Sequence, residues 1–231
     1  KEKYAAGVSF NSPYLFGSKW DSNWEGKYIS QESSLKSHFI QPTFSVKISE
    51  KFGVGAGLIY AFGKSEITKA VPVESSTTQF GIENLKGKGD GIGFNIGTFI
   101  KMDEKITFAV AYRSKIKIEM KDGEATFSDI PSLQQTVFPS STTYSTSVKL
   151  PAVISLAASY AVTKKVKMQF EINYTGWSVY DSLTYVFPYQ YTDLNNDSDL
   201  RKYKNTAAIR IGGEWHPIKL IALRAGASYD Q

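Results

Sequence analysis

Between Val148 and Thr175 the chain alternates apolar and polar residues in two arms joined by a short turn. In the first arm the even positions Val148, Leu150, Ala152, Ile154, Leu156, Ala158, Tyr160 and Val162 are apolar. In the second, Val166, Met168, Phe170, Ile172 and Tyr174 are apolar, with Lys167, Gln169, Glu171, Asn173 and Thr175 between them. Alternation with period two puts one set on each face of a strand. The turn Thr163-Lys164-Lys165 is short enough to pair the arms antiparallel. Both arms have the length, roughly 9–11 residues, that crosses a bilayer at a tilt; a soluble strand runs about 5–6. The greasy face is therefore expected to meet lipid and the polar face to line a barrel lumen.

The rest of the chain repeats this unit. Tyr4 to Phe16 is expected to point Tyr4, Ala6, Val8, Phe10, Tyr14 and Phe16 outward. Further strands are read over Leu35–Ile48, Phe52–Phe62 and Ile92–Ile100. The set Ile106, Phe108, Val110, Tyr112, Ile116, Ile118 and Met120 reads as one long strand, with Arg113, Lys115, Lys117 and Glu119 opposite. The last hairpin is Tyr203–His216 and Leu220–Tyr229. Short turns fall at 49–51, 102–105, 163–165 and 217–219. Long polar stretches fall at Gly17–Ser33, Lys64–Asp90, Asp122–Tyr144 and Pro188–Lys202, the last holding Asn195, Asn196 and Asp197. Short and long connections alternate, which is the arrangement of outer-membrane barrels. The fold class expected is all-β: an antiparallel up-and-down transmembrane β-barrel, one domain over residues 1–231. About nine strands are counted where single-chain bacterial barrels take an even number, so a piece of a larger barrel is expected.

Composition agrees. Aromatic residues make up 14% of the 231, and membrane barrels place such residues in girdles at the two interfaces. No apolar run of about 18 residues offers a transmembrane helix. Cysteine is absent and the net charge of +5 is scattered, which speaks against a nucleic-acid surface. His38 and His216 are far apart, so no metal site is expected. The string Gly87, Gly89, Gly91, Gly93 has no helix after it and reads as strand glycines, not a phosphate loop. No serine, histidine and acid are spaced as a triad, and neither enzyme activity nor a cofactor is expected.

Several segments, taken in order, resemble the FadL/TodX family of outer-membrane transporters for hydrophobic compounds. They are F-N-S-P-Y at Phe10–Tyr14, W-D-S-N-W-E-G-K-Y at Trp20–Tyr28, A-Y-R-S-K-I-K-I at Ala111–Ile118 and K-L-P-A at Lys149–Ala152. N-Y-T-G-W-S-V-Y-D-S-L at Asn173–Leu183, Y-K-N-T-A-A-I-R-I-G at Tyr203–Gly212 and L-R-A-G-A-S-Y-D at Leu223–Asp230 complete the set. The resemblance implies a barrel of about fourteen strands with an N-terminal hatch inside it. This chain would supply the third to the eleventh strand, without the hatch, the first two strands and the last three.

Candidate sites follow. The resemblance implies an inward kink in the third strand that opens the wall sideways. Asn11, Ser12 and Pro13 occupy that position, and Pro42 lies on the neighbouring strand. Prolines remove ladder donors and weaken the seam, although a proline leading into a loop would read the same. The resemblance also implies basic residues that meet a ligand carboxylate, with Lys69, Arg201 and Lys202 as candidates beside their reading as solvated surface. From the alternation alone, Arg113, Glu171, Arg210, Glu214 and Arg224 fall on the lumen face, as a headgroup site or as a charge network bracing the wall. Leu15, Phe16, Trp20 and Trp24 cluster at the first outer loop, as a hydrophobic capture patch or as part of the interface girdle.

The function expected is passive transport of hydrophobic small molecules, long-chain fatty acids or aromatic hydrocarbons, by capture at the outer loops and lateral release through the wall. A porin-like polar channel and a structural or adhesive surface barrel are the alternatives. The partners expected are the hydrophobic ligand, outer-membrane lipid and detergent, with no nucleic acid and a monomeric barrel.

Overall fold

The computed structural model describes all residues except 1–2, 74–79, 189–193 and 195–197. It is an antiparallel sheet of nine staves in the order they occur along the chain. The first stave is β1 (Tyr4–Asn11) followed by β2 (Leu15–Lys19). Next come β3 (Glu32–Lys47), β4 (Phe52–Val71) and β5 (Gly81–Lys101). The fifth stave is β6 (Ile106–Arg113) continued by β7 (Ile116–Ser128), and the sixth is β8 (Ser141–Leu150) continued by β9 (Val153–Ala161). β10 (Val166–Thr175), β13 (Thr206–Ile218) and β14 (Ile221–Asp230) finish the wall. β11 (Ser182–Thr184) and β12 (Ser198–Leu200) pair apart from it. β1 and β14 end the wall, each with one neighbour in it among the described residues.

The central hairpin is paired as its alternation predicts, with Phe170 opposite Ala158 and Ile172 opposite Leu156. Ile154 and Phe170 stay exposed at 43% and 42%, on the same face as Ile92, Ile96 and Leu58. These side chains form the outward apolar band. The short turns are built locally. At the β5–β6 turn the Asp103 carboxylate accepts the amides of Lys105 and Ile106 at 2.7 and 2.8 Å. Those bonds hold its pKa below the usual carboxylate range.

Two expectations fail above this band. Lys64–Asp90 and Asp122–Tyr144 are not loops for most of their length. β4 and β5 stay paired out to Val71 opposite Gly81, and β7 and β8 to Thr126 opposite Ser141. Polar residues face water on both staves there, so hydrophilicity did not mark a loop. Glu66 pairs with Lys86 at 3.3 Å, and Asn84 Nδ2 donates to Thr68 Oγ1 at 2.7 Å. Of the Pro188–Lys202 stretch, Asn195, Asn196 and Asp197 lie outside the described residues.

The second failure concerns facing. Ile116, Ile118 and Met120, expected in lipid, are among the most deeply buried side chains of the wall's interior, and Val148 and Leu150 join them. Lys117 and Glu119, expected in the lumen, face outward and pair at 2.8 Å. The cause is a one-residue slip against β5. Asn95 stands opposite Arg113, but Asp90 stands opposite Glu119. Such a slip turns the side chains after it to the other face, here as far as a second slip between Met120 and Gly123. The break lies at Ser114–Lys115, where the Ser114 hydroxyl takes the Phe94 amide at 2.9 Å. Pro151, which cannot donate to a ladder, breaks the partner stave beside it. Below the break the dry side is lipid. Above it the outside is water, and the apolar set turns inward to form a core.

Candidate functional site

The first stave carries a second slip. Asn11 is opposite Phe39 and Leu15 opposite Lys36, so three residues, Ser12 to Tyr14, span two on β3. This bulge corrects the expected facing of Tyr14 and Phe16. Both turn inward, and Phe16 pairs with Leu35. The tyrosine ring lies edge-on to Phe39 and Trp177, at 6.1 and 5.7 Å. The Tyr14 hydroxyl accepts a hydrogen bond from Arg113 Nη2 at 2.9 Å. The guanidinium also lies 5.5 Å from the Tyr14 ring centre and 5.8 Å from that of Phe39. Strands are about 4.8 Å apart, so four strand spacings laid flat would hold β2 and β6 about 19 Å apart. The contact exists because the sheet curls.

Across the bulge the ladder is replaced. Both the amide and the hydroxyl of Ser37 donate to the Tyr14 carbonyl at 3.0 Å. On the outward side Ser12 Oγ and His38 Nδ1 are 2.7 Å apart. Asn11 closes β1, and Pro13 sits in the break, where its missing donor is no loss. Pro42 lies on the adjacent stave but away from the break, opposite Val8 within β1.

Directly above Tyr14 is a cavity of about 320 Å³. Pro13, Tyr14, Leu15 and Phe16 form one wall, Leu35 and Ile67 a second, Val148 and Leu150 a third. Trp177, Tyr180, Leu183, Tyr185 and Tyr203 close it from the segment after β10. That segment enters the bore because β10 ends at Thr175 and a 3-10 turn, Trp177–Val179, follows Gly176. The polar groups at the cavity are few, chiefly Ser33, Ser34, Ser65, Thr146, Lys149 and Arg201. A cavity mostly apolar with a few polar groups suits a small hydrophobic ligand.

Asp181 organises the basic end. Its carbonyl accepts the Arg201 and Lys202 amides at 2.7 and 3.0 Å. Its carboxylate lies 3.6 Å from Lys149 Nζ and accepts the Ser182 amide at 2.8 Å. The Lys149 charge, then that amide, hold the Asp181 pKa below the ordinary range.

The three carboxylate candidates do not converge. Arg201 lines the cavity. Lys69 is turned onto Glu83 at 3.2 Å, the lysine half-buried and the glutamate buried, and Lys202 is exposed outside the cavity lining with φ of 49°. The capture patch also divides. Leu15 and Phe16 line the cavity, whereas Trp20 and Trp24 stack on each other at 4.9 Å in the connection beyond it.

The expected lumen charges form three groups, not one network. Arg113 engages Tyr14. Glu171 meets Arg210 at 3.2 Å, and Arg210 reaches Asp230 at 3.5 Å. Glu214 binds Arg224 Nε and lies 2.7 Å from His216 Nε2. The first two groups line a more polar space of about 550 Å³ below the cavity, with Trp177 shared between the two spaces. Sequence reasoning missed Tyr14, Trp177, Tyr180 and Tyr203 as cavity residues. The signal for Trp177 was Gly176, which ends a clean alternation just before a run of aromatics.

An antiparallel wall with an outward apolar band, long hairpins on one side and an inward apolar cavity defines a β-barrel protein of the outer membrane. The chain belongs to the outer membrane protein transport protein family (OMPP1/FadL/TodX), whose profile matches residues 1–231. It is 21% identical over 257 residues to outer membrane protein P1 of Haemophilus influenzae, covering 100% of this chain and 54% of that one. It is 22% identical over 258 residues to a long-chain fatty acid transport protein of Escherichia coli, covering 99% of this chain and 57% of that protein. A crystal structure of a Pseudomonas aeruginosa FadL homologue superposes with a TM-score of 0.86 at 21% identity, over 100% of this chain and 57% of that one. The chain thus spans a little over half the length of these relatives. The family consists of transporters and channels, not enzymes.

Proposed function

We propose that this protein carries hydrophobic small molecules across the outer membrane without energy coupling. The ligand is captured at the outer hairpins, rests in the cavity above Tyr14, and leaves sideways through the wall at Asn11, Ser12 and Pro13. The supporting observation is that a mostly apolar cavity abuts the first stave, whose pairing with β3 is broken by a bulge containing Pro13. An alkyl chain of about ten buried methylenes supplies about 8 kcal/mol, before the costs of association. That is enough for an unassisted, reversible site.

Long-chain fatty acids are the favoured ligand class, because Arg201 places a cation at one end of the cavity. Aromatic hydrocarbons need no such group. A related Escherichia coli protein carries the name long-chain fatty acid transport protein, which agrees with this choice. Lys69 is already engaged with Glu83 and plays no part in this scheme. The barrel acts as a monomer, since one wall contains both cavity and break.

A test is titration of the detergent-solubilised protein with oleate and with toluene, for the wild type, Leu150→Glu and Arg201→Gln. Oleate binding should vanish in the first variant and weaken about tenfold or more in the second, with toluene unaffected by the second. Equal binding by all three would refute the site. The porin-like reading draws on the polar space lined by Arg113, Glu171 and Arg210. It requires steady ion conductance in planar bilayers, and none is expected here.

A further inference from the structure

Three lysines stand side by side on the outer surface. Lys36 is directly opposite Lys64, and Lys64 directly opposite Lys88, so they form one rung across β3, β4 and β5. All three are exposed, and none is in an ion pair among the described residues. The rung above is neutralised, with Glu66 bound to Lys86 at 3.3 Å. Like charges directly opposite each other destabilise a sheet unless something compensates.

The rung below is aromatic. His38 lies 5.7 Å from Phe10 and 5.5 Å from Phe62, and Phe62 lies 5.9 Å from Tyr60. Aromatic side chains of this kind mark a membrane–water interface. The lysine rung therefore lies at the edge of the apolar band on the side of the long hairpins. Between the two rungs is a surface depression of about 410 Å³, lined by His38, Tyr60, Phe62, Lys64, Lys88 and Asp90. Asp90 is the one carboxylate in that lining, against Lys64 and Lys88, and Lys36 stands beside Lys64 on the same rung.

We propose that this depression binds the phosphorylated headgroup of an outer-leaflet membrane lipid. The phosphates meet Lys36, Lys64 and Lys88, and the acyl chains lie down the apolar face over Phe10, Tyr60 and Ile92. The charge is complementary and the apolar surface continues below it, which a free phosphate ion would not use. This inference rests on the outward facing of the band and is independent of what the inner cavity carries.

The test is native mass spectrometry of the protein purified from a Gram-negative outer membrane in mild detergent. The wild type should retain phosphorylated glycolipid. The variant Lys36→Gln/Lys64→Gln/Lys88→Gln should retain about tenfold less or lower still, since each lysine near an anionic surface matters by about a factor of five. Lys117→Gln, in an outward ion pair, should change nothing. An unaltered melting curve for the triple variant keeps the comparison fair. Equal retention by the triple variant would overturn the proposal. So would retention of added phosphatidylcholine, whose headgroup has no net charge, as strong as that of the anionic glycolipid, or full displacement by millimolar inorganic phosphate.

Discussion

Arg113 Nη2 and the Tyr14 hydroxyl, 99 positions apart in sequence, meet at 2.9 Å across the bore. The bond ties the bulge of the first stave to the break in the fifth. A hydrogen bond to a charged partner contributes about 1.5–3 kcal/mol, less where water screens it. Tyr14→Phe and Arg113→Met should each cost about 1–2 kcal/mol, and the double variant little more than either alone. Urea unfolding from detergent micelles gives the cycle, and strict additivity would show that the two residues are not coupled.

The turn in facing at Ser114 and Pro151 makes opposite substitutions behave oppositely. Ile118→Lys should prevent folding or cost more than about 3 kcal/mol, because it buries an unpaired charge. Lys117→Ile, one residue away, should fold normally. In the band below, Phe170→Lys should cost roughly 2–4 kcal/mol in lipid. Heat-modifiable mobility and unfolding in lipid vesicles measure all three.

Gly91 and Gly97 both lie on β5, yet they meet different neighbours. A Cβ at Gly91 would overlap the Lys117 carbonyl oxygen, since the displaced β7 backbone passes close above it. At Gly97 the nearest atom, the Val110 carbonyl oxygen, is 3.4 Å away. Gly91→Ala should destabilise by about 1–3 kcal/mol and loosen the β5–β7 seam. Gly97→Ala should be near neutral. Amide exchange along β7 reports the difference.

Acid should act at the cavity's basic end. The Lys149 charge depresses Asp181, so this pair contributes above the unfolded carboxylate pKa of about 3.9 and is lost as pH falls through the lower folded value. Trp177 fluorescence should be level from neutral pH to about 4, then change below it. Asp181→Asn should flatten that change. A transition near pH 6 would point to a histidine.

Leu150 condenses what can and cannot be read from the linear chain. It belongs to the same unbroken apolar alternation as Ile154 and Phe170. That alternation settles that the protein is made of long strands with one dry face, and with the connection lengths it settles the order of staves and the barrel class. It does not say which dry phase a given residue meets. Ile154 lies in lipid and Leu150 in a protein core, four residues apart and with the same parity. Tyr14 is misjudged for the same reason, one bulge earlier. A one-residue slip against a neighbouring stave is a relation between two segments, and it leaves no mark on either alone. The cavity also depends on curvature. It joins residues from the first stave, the sixth and the segment after β10, which approach because the wall bends round them. Period-two patterning is local and survives in one dimension, whereas register and closure are set by pairing partners and by the water level outside the wall.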